Sequence, residues 1–361
     1  VCASPEEAQA KAATVVYVER GLAKVTMQNF ADDGYDIADG TYEGGKVKIN
    51  NWQLDVTNMS TFPVHQTGTL KDSWAEIWNT PRFYDQTSTA FKRVYWGVDP
   101  NYNEAKYQVL ANCKTAFKMI TKDDVNGVTA NPQYCLENTF DLNNMKQGQT
   151  TRVVFKAVFT PKDFTTGQTF YKIGNNTAIW TKANLETQIH TVAVTAMGIT
   201  DDAEQAKYVV KLDATDTNIS GKAGQHLVEK CNITYTGDAA SSLVTDEIVN
   251  KINDKLGLSA ETGISTYLNG EAYYIARIKH FNELTPWEAG QAYDSKNAAF
   301  LGRYGVLRNN WYELSVNKVS GLGYPDVPEV KPTVPDDENS QYINVSVKIL
   351  DWAKRSQSVD L

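Results

Sequence analysis

The chain has 361 residues and a formal net charge of −8, from 35 basic and 43 acidic side chains. That mild acidity argues against a nucleic-acid partner, because a phosphate-binding surface needs an excess of Lys and Arg. At 42% apolar and 22% charged residues the composition excludes long disorder, and no apolar run approaches the ~20 residues that span a bilayer.

In chain order, residues 14 to 30 read as strand, with Ala23, Val25 and Met27 alternating with polar neighbours. Residues 46 to 57 alternate again: Val47 and Ile49, then Trp52, Leu54 and Val56 after a one-residue phase shift that suggests a bulge at Asn50-Asn51. Leu70, Trp74, Ile77 and Trp78 predict a short amphipathic helix over 70–79. Val153, Phe155, Ala157 and Phe159 mark a further strand. The polar, turn-rich stretch at 163–168 suggests a domain boundary. Strand-like runs follow at 207–212, 226–236, 272–281 and 311–319. One helix interrupts them: Thr245 is its N-cap, Asp246 and Glu247 occupy the first turn, Ile248, Ile252 and Leu256 recur every four residues, and Gly257 ends it. The sum is mainly β with a few short helices, which suggests sandwich domains.

The aromatic count (8 Trp, 19 Tyr, 12 Phe) against four His suits a β-rich extracellular protein better than a metalloenzyme. His65, His190, His226 and His280 are scattered outside any metal or catalytic motif, and no GxSxG, Walker or dinucleotide fingerprint is present. No catalytic, cofactor or metal residue is therefore assigned, and no enzyme activity is expected. Acidic pairs such as Asp123-Asp124 and Asp336-Asp337 could bind calcium through oxygen ligands, although a solvated acidic turn is the commoner explanation of such a pair. Cys2, Cys113, Cys135 and Cys231 form no CxxC pair; Cys113 and Cys135 could bridge in an oxidising compartment, or all four are inert thiols. The chain opens at Val1 with no charged n-region and no apolar h-region. It is thus either cytoplasmic or already stripped of a targeting segment, and the lack of an initial Met favours the second.

The tail is the most informative segment. Pro325, Pro328, Pro332 and Pro335, set among acidic residues, favour an extended polyproline-like spacer over packed structure. After it, Ile343, Val345, Val347 and Ile349 alternate with Asn344, Ser346 and Lys348. Burying those four apolar side chains is worth roughly 6–12 kcal/mol before ordering entropy, so the strand must dock somewhere. It either closes its own domain or completes the sheet of a neighbouring copy, a head-to-tail contact that generates a filament.

Several segments resemble the Bacteroidales type V pilins, closest to the minor-fimbrium (Mfa-type) shaft subunits. They are Val18-Glu19-Arg20-Gly21-Leu22-Ala23-Lys24-Val25; Tyr134-Cys135-Leu136-Glu137-Asn138-Thr139; Gly270-Glu271-Ala272-Tyr273-Tyr274 with Ile278-Lys279-His280-Phe281; the run from Gly302 to Tyr312 followed by Gly321-Leu322-Gly323-Tyr324-Pro325; and the ending from Ile349 to Leu361. The resemblance implies two transthyretin-like β-sandwich domains in tandem plus an extended C-terminal donor strand. Residues 1–165 are then an N-terminal sandwich with an acceptor groove, 166–324 a second sandwich, 325–340 the Pro-rich spacer and 341–361 the donor.

The resemblance further implies lipoprotein export and cleavage by an Arg-specific surface protease that leaves Val1 as the mature N-terminus. It implies a filament of copies of this subunit on the bacterial outer membrane, with anchor and tip fimbrial proteins as further partners, and roles in adhesion and biofilm formation. Cys2 is not terminal and so cannot be the lipidated residue. The donor residues are expected to be Ile343, Val345, Val347, Ile349, Leu350, Trp352, Val359 and Leu361; Ala23, Val25 and Met27 are candidates for the acceptor. The alternative is a monomeric secreted carbohydrate-binding lipoprotein that stacks sugars on its many aromatic rings. No cofactor is expected under either reading.

Overall fold

The computed structural model describes residues 4–6, 20–68, 70, 96–102, 104–213, 218–280, 301–336 and 343–351, and within 343–351 the side chain of Val345 alone. The molecule is mainly β with a few helices, and its largest body is a two-sheet sandwich. The front sheet holds β1 (Leu22–Met27), β6 (Gln133–Leu136), β14 (Asn310–Val319) and β15 (Ile343–Asp351) in the order β15-β14-β1-β6. Strand β1 runs parallel to β14, and the other two pairings are antiparallel. The back sheet holds β2 (Tyr35–Asp36), β3 (Lys46–Asp55), β7 (Arg152–Thr160) and β13 (Glu271–Arg277) in the order β13-β7-β3-β2, all antiparallel. The phase shift read at Asn50-Asn51 is a bulge: the β3–β7 register slips between Ile49 and Asn51. The slip carries the apolar set from Val47 and Ile49 to Trp52 and Leu54 on one buried face.

The two sheets enclose one core, built by Ala23, Val25, Trp52, Phe155, Tyr274, Tyr312 and their neighbours. Strands from both sides of residue 165 share these sheets: β13 and β14 lie beyond it and pair with β7 and β1 before it. A second core lies between residues 171 and 264. There β8 (Phe170–Ile173), β12 (Ile264–Tyr267) and β10 (Gln225–His226) form a small sheet, β9 (Tyr208–Val210) follows the single-turn α3 (Asp202–Gln205) and pairs with β11 (Ile233–Tyr235), and α2 (Lys182–Met197) and α4 (Asp246–Lys255) pack against them. By burial, then, the chain divides into a sandwich from its two ends and a smaller unit set between them. Phe170 and Tyr267, stacked with ring centroids 4.6 Å apart, sit in the sandwich core, while Tyr171 and Ile264 beside them belong to the second.

Helix α4 follows the sequence reading: Thr245 Oγ1 accepts from the Ile248 amide, and Gly257 takes a positive φ after the last turn. Helix α2 was not anticipated. Its buried residues Leu185, Ile189, Ala193 and Val194 make a narrow stripe, and Thr187, Thr191 and Thr195 return their hydroxyls to carbonyls four residues back. The run at 226–236 is two short strands parted by a 3-10 turn at Lys230–Asn232. The helix predicted over 70–79 lies outside the described residues apart from Leu70, which is buried.

Cys113 and Cys135 form no bridge. Cys113 sits on α1 (Leu110–Ala116), which runs into β5 (Phe117–Lys118), the antiparallel partner of β4 (Thr57–Asn58); it lies beside Val56, Tyr107 and Phe117, whereas Cys135 belongs to the sandwich core. The two thiols fill separate clusters as small apolar groups, and burial pushes them up to about 11 and about 12.

Candidate assembly site

The patterned C-terminal strand lies in the sheet of its own chain. Strand β15 pairs antiparallel with β14 from Val319↔Ile343 to Asn310↔Asp351, with a register shift between Val316 and Lys318. Among the described residues it is the edge of the front sheet, and its ladder runs to β14. Val345, opposite Val316, is 8% exposed and belongs to the sandwich core. Ile343, Val347, Ile349 and Leu350 are placed by backbone on the same strand, while Trp352, Val359 and Leu361 lie outside the described residues, as does Val1. Ala23, Val25 and Met27 line no open groove. They are buried on β1, a central strand already paired to β14 on one side and β6 on the other, which leaves no edge for an incoming strand.

The connection from β14 to β15 is where the structure departs most from expectation. Residues 321–336, expected to include a free polyproline spacer from 325, are strapped to the sandwich. Tyr274 and Tyr267 donate their hydroxyls to the Gly321 and Gly323 carbonyls at 3.0 and 2.9 Å. Tyr324 and Tyr273 exchange backbone bonds at 2.8 Å, so the strap covers the edge of β13 that β7 does not. The approach is close enough that a Cβ at Gly323 would run into the Tyr273 carbonyl. Further on, Arg152 Nη2 donates to the Pro328 carbonyl at 2.7 Å and Val330 is buried against Val56 and Tyr107. The Gln147 amide donates to the Val334 carbonyl at 3.1 Å.

The strap ends on an ion pair. Asp336 Oδ1 receives Arg277 Nε at 3.0 Å, with the side chains 0% and 5% exposed. A second buried pair, Arg152 Nε to Asp55 Oδ2 at 2.8 Å, supports it from the same end of the back sheet. Burial pulls the Arg152 pKa down, and the Asp55 carboxylate opposes that pull. The Asp336-Asp337 pair, read as a solvated turn, therefore contributes a buried anion. The prolines deny this segment a continuous ladder. It docks instead through spaced side chains and a few carbonyls.

Three of the segments that carry the resemblance, 134–139, 278–281 and 302–312, meet in one buried knot. Asn138 and Val306 exchange backbone bonds at 2.8 and 3.0 Å, joining the 134–139 segment to the 302–312 run. Glu137, fully buried, accepts the Arg308 amide at 3.3 Å and faces Arg308 Nε at 3.5 Å and His65 Nδ1 at 3.6 Å. Asn58 donates to the Glu137 carbonyl at 3.0 Å. Asp99 accepts the amides of Thr139 and Asn101 at 2.7 and 2.6 Å. Burial pushes the Asp99 carboxyl up to about 7 against those two bonds, and the nearby Glu137 charge adds to the rise. His280 and the Leu307 amide both bond the Tyr312 hydroxyl at 2.8 Å. Gly305, at φ +134°, leaves room for the Trp96 ring. The motifs thus serve as mortar between the two ends of the chain. Many of the aromatic rings serve as core, with Trp52, Trp96, Tyr107, Tyr171, Tyr273 and Tyr312 at most 2% exposed. Among the described residues no group of three or more His, Cys, Asp or Glu is arranged to hold a metal.

Residues 265–358 match the family model described as major fimbrial subunit protein type IV, fimbrillin, C-terminal. No curated protein matches the chain. The matched stretch opens within β12 and takes in β13, β14, the strap and β15, the half of the sandwich contributed by the C-terminal end. It supports a fimbrial structural subunit, and with it assembly among fimbrial subunits at the cell surface. Among the described residues no helix is long and apolar enough to cross a membrane.

Proposed function

We propose that this chain is a structural subunit of a cell-surface fimbrium, and that it polymerises by giving its C-terminal strand to a neighbouring copy. The fimbrillin match over 265–358 carries this reading, because it coincides with the part of the sandwich that ends in the edge strand β15. An edge strand held by a backbone ladder exchanges between identical chains with no change in the bonds made, which is the physical basis of strand addition. The finer features rest on the sequence resemblance: a type V shaft role, lipoprotein export, maturation by an Arg-specific protease, anchor and tip partners at the outer membrane, and adhesion and biofilm formation.

The test is direct. The purified chain, concentrated stepwise and imaged by negative stain, is expected to form filaments that run as ladders on unboiled SDS gels. A discrete monomer at every concentration, with affinity for glycans, would overturn the proposal in favour of the carbohydrate-binding reading.

A further inference from the structure

A turn of the second unit, at residues 220–225, meets the strap at two points. Gly224, at φ +72°, comes so close that a Cβ on it would stand 2.9 Å from the Cβ of Pro325. Gly221, at φ +70°, brings the other end of the turn to the Glu329 carboxylate, 3.0 Å from where its Cβ would be. Between these two touches the turn and the strap part. Together with Gln147, Arg152 and Ile275 they enclose a cavity of about 220 Å³. It lies apart from the knot and from β15.

The polar groups around the cavity differ in depth. Gln147 and Arg152 are each only 2% exposed. Arg152 Nε and Nη2 are taken by Asp55 and by the Pro328 carbonyl. Gln147 Oε1 accepts the Lys331 amide at 3.3 Å, while its Nε2 is buried with no hydrogen-bond partner. An unmade bond at a buried amide is costly, and an oxygen held in the cavity would make it. Acceptors come from the more exposed Asp326 and Glu329, and apolar wall from Tyr324 and Pro325.

Charge decides the class of ligand. Arg152 is paired with Asp55, Lys222 with Glu261 at 3.2 Å, Asp326 with Lys122 at 3.4 Å and Glu329 with Lys114 at 3.6 Å. The charges that line the cavity are thus balanced in place, with Lys331 at the exposed rim. An ion of either sign would have to displace one of these pairs. A neutral molecule bearing hydroxyls would not, and each hydroxyl both donates and accepts, as this mixture of an amide and carboxylates requires. The volume is below the roughly 300–1,000 Å³ of pockets for drug-sized ligands, so a single ring is the size that fits.

We propose that this cavity binds one neutral sugar unit. Gln147 donates to a sugar oxygen, Asp326 and Glu329 accept from hydroxyls, and Tyr324 and Pro325 pack against the C–H face of the ring. The site goes beyond the fimbrial reading and does not depend on polymerisation.

The test titrates the full chain by calorimetry with methyl glycosides of neutral hexoses, and with glucuronate and inorganic phosphate as charged probes. At least one methyl hexoside is expected to bind with a Kd on the order of 1 mM or tighter. Gln147→Met keeps the length of the side chain and removes the amide. Ala223→Trp sets a ring at the mouth from an exposed position. Each is expected to weaken binding about tenfold or more. Should Gln147→Met fail to fold, Ala223→Trp reads the same outcome. No binding of any neutral glycoside would overturn the proposal. So would binding unchanged in the folded variants, which would put the sugar on exposed rings elsewhere, or tighter binding of glucuronate or phosphate, which would assign the cavity to an anion. Filament formation is scored on the same samples: filaments without sugar binding end this site alone, and sugar binding without filaments ends the fimbrial reading alone.

Discussion

The strap and the C-terminal strand are neighbours in sequence, yet opposite kinds of chemistry hold them. Strand β15 is attached by a ladder of main-chain bonds that every copy of the chain can offer equally. The strap is attached by addressed contacts: a carbonyl on Arg152, a carboxylate on Arg277, single valines in separate pockets. A ladder can be handed to an identical chain without loss, whereas a buried ion pair cannot be released without stranding a charge. Within about thirty residues, then, the molecule sets an element held by a main-chain ladder beside one held by addressed contacts.

The sharpest way to break that contrast is to remove the ladder-held part. Deleting residues 343–361 strips the ladder from β14 and takes Val345 from the core. At ~1 kcal/mol per net hydrogen bond plus side-chain burial, the loss is on the order of 5 kcal/mol or more, comparable to the stability of a whole domain. The truncated chain is expected to be largely unfolded, and a synthetic 343–361 peptide added in trans is expected to restore the urea midpoint. A truncated chain as stable as the full one, or one indifferent to the peptide, would show that β15 contributes no ladder of consequence.

The fixed part is tested next. Asp336→Ala leaves Arg277 charged and buried, at a cost of about 3–5 kcal/mol, while the double variant Arg277→Met/Asp336→Leu should recover most of that loss. Urea denaturation gives both numbers, and limited proteolysis should cut residues 325–336 in the single variant alone. If the single variant costs under 1 kcal/mol, the strap is a surface tether and not an anchored one.

A smaller effect separates the knot from both. An ordinary Asp titrates near 4, whereas Asp99 is raised to about 7 by burial. Between those values the folded chain holds a proton that the unfolded chain has lost, so the contribution of Asp99 is fully present below pH 4 and declines as pH rises to 7. Relative to Asp99→Asn, wild type should lose about 3 kcal/mol between pH 4.5 and pH 8. Parallel stability curves for the two proteins would remove Asp99 as the source of any pH dependence in this region.

What the sequence could show follows from how local each signal is. The bulge at Asn50-Asn51, helix α4 and the alternation of 343–349 each declare themselves within a dozen residues, and each has its counterpart in an observed element. Helix α2 stayed hidden because Leu185, Ile189, Ala193 and Val194 form too thin a stripe among threonines. The strap was misread for a different reason. Pro and Asp in a row are the ordinary marks of a solvated linker, and the partner that buries Asp336 is 59 residues away in sequence. The surroundings of Ala23, Val25 and Met27 are likewise beyond a local signal: their alternation marks one inward face, and only the pairing order places β1 between β14 and β6.

The smallest predicted effect tests whether the unit between the two ends of the sandwich is independent of assembly. Thr245 caps α4 through the Ile248 amide, and α4 packs in the second core through Ile252, away from β14 and β15. Losing a cap of this kind costs about 1 kcal/mol. Thr245→Ala should therefore lower the thermal midpoint by a few degrees and leave the concentration dependence of filament formation unchanged. The sandwich core and the second core share a β8–β12 pairing, with Phe170 and Tyr267 on one side and Tyr171 and Ile264 on the other. A Thr245→Ala chain that assembled at markedly lower concentration would mean that loosening the second core loosens β15 as well. The route would be that shared pairing, and strand release would then be a property of the whole chain and not of the front sheet alone.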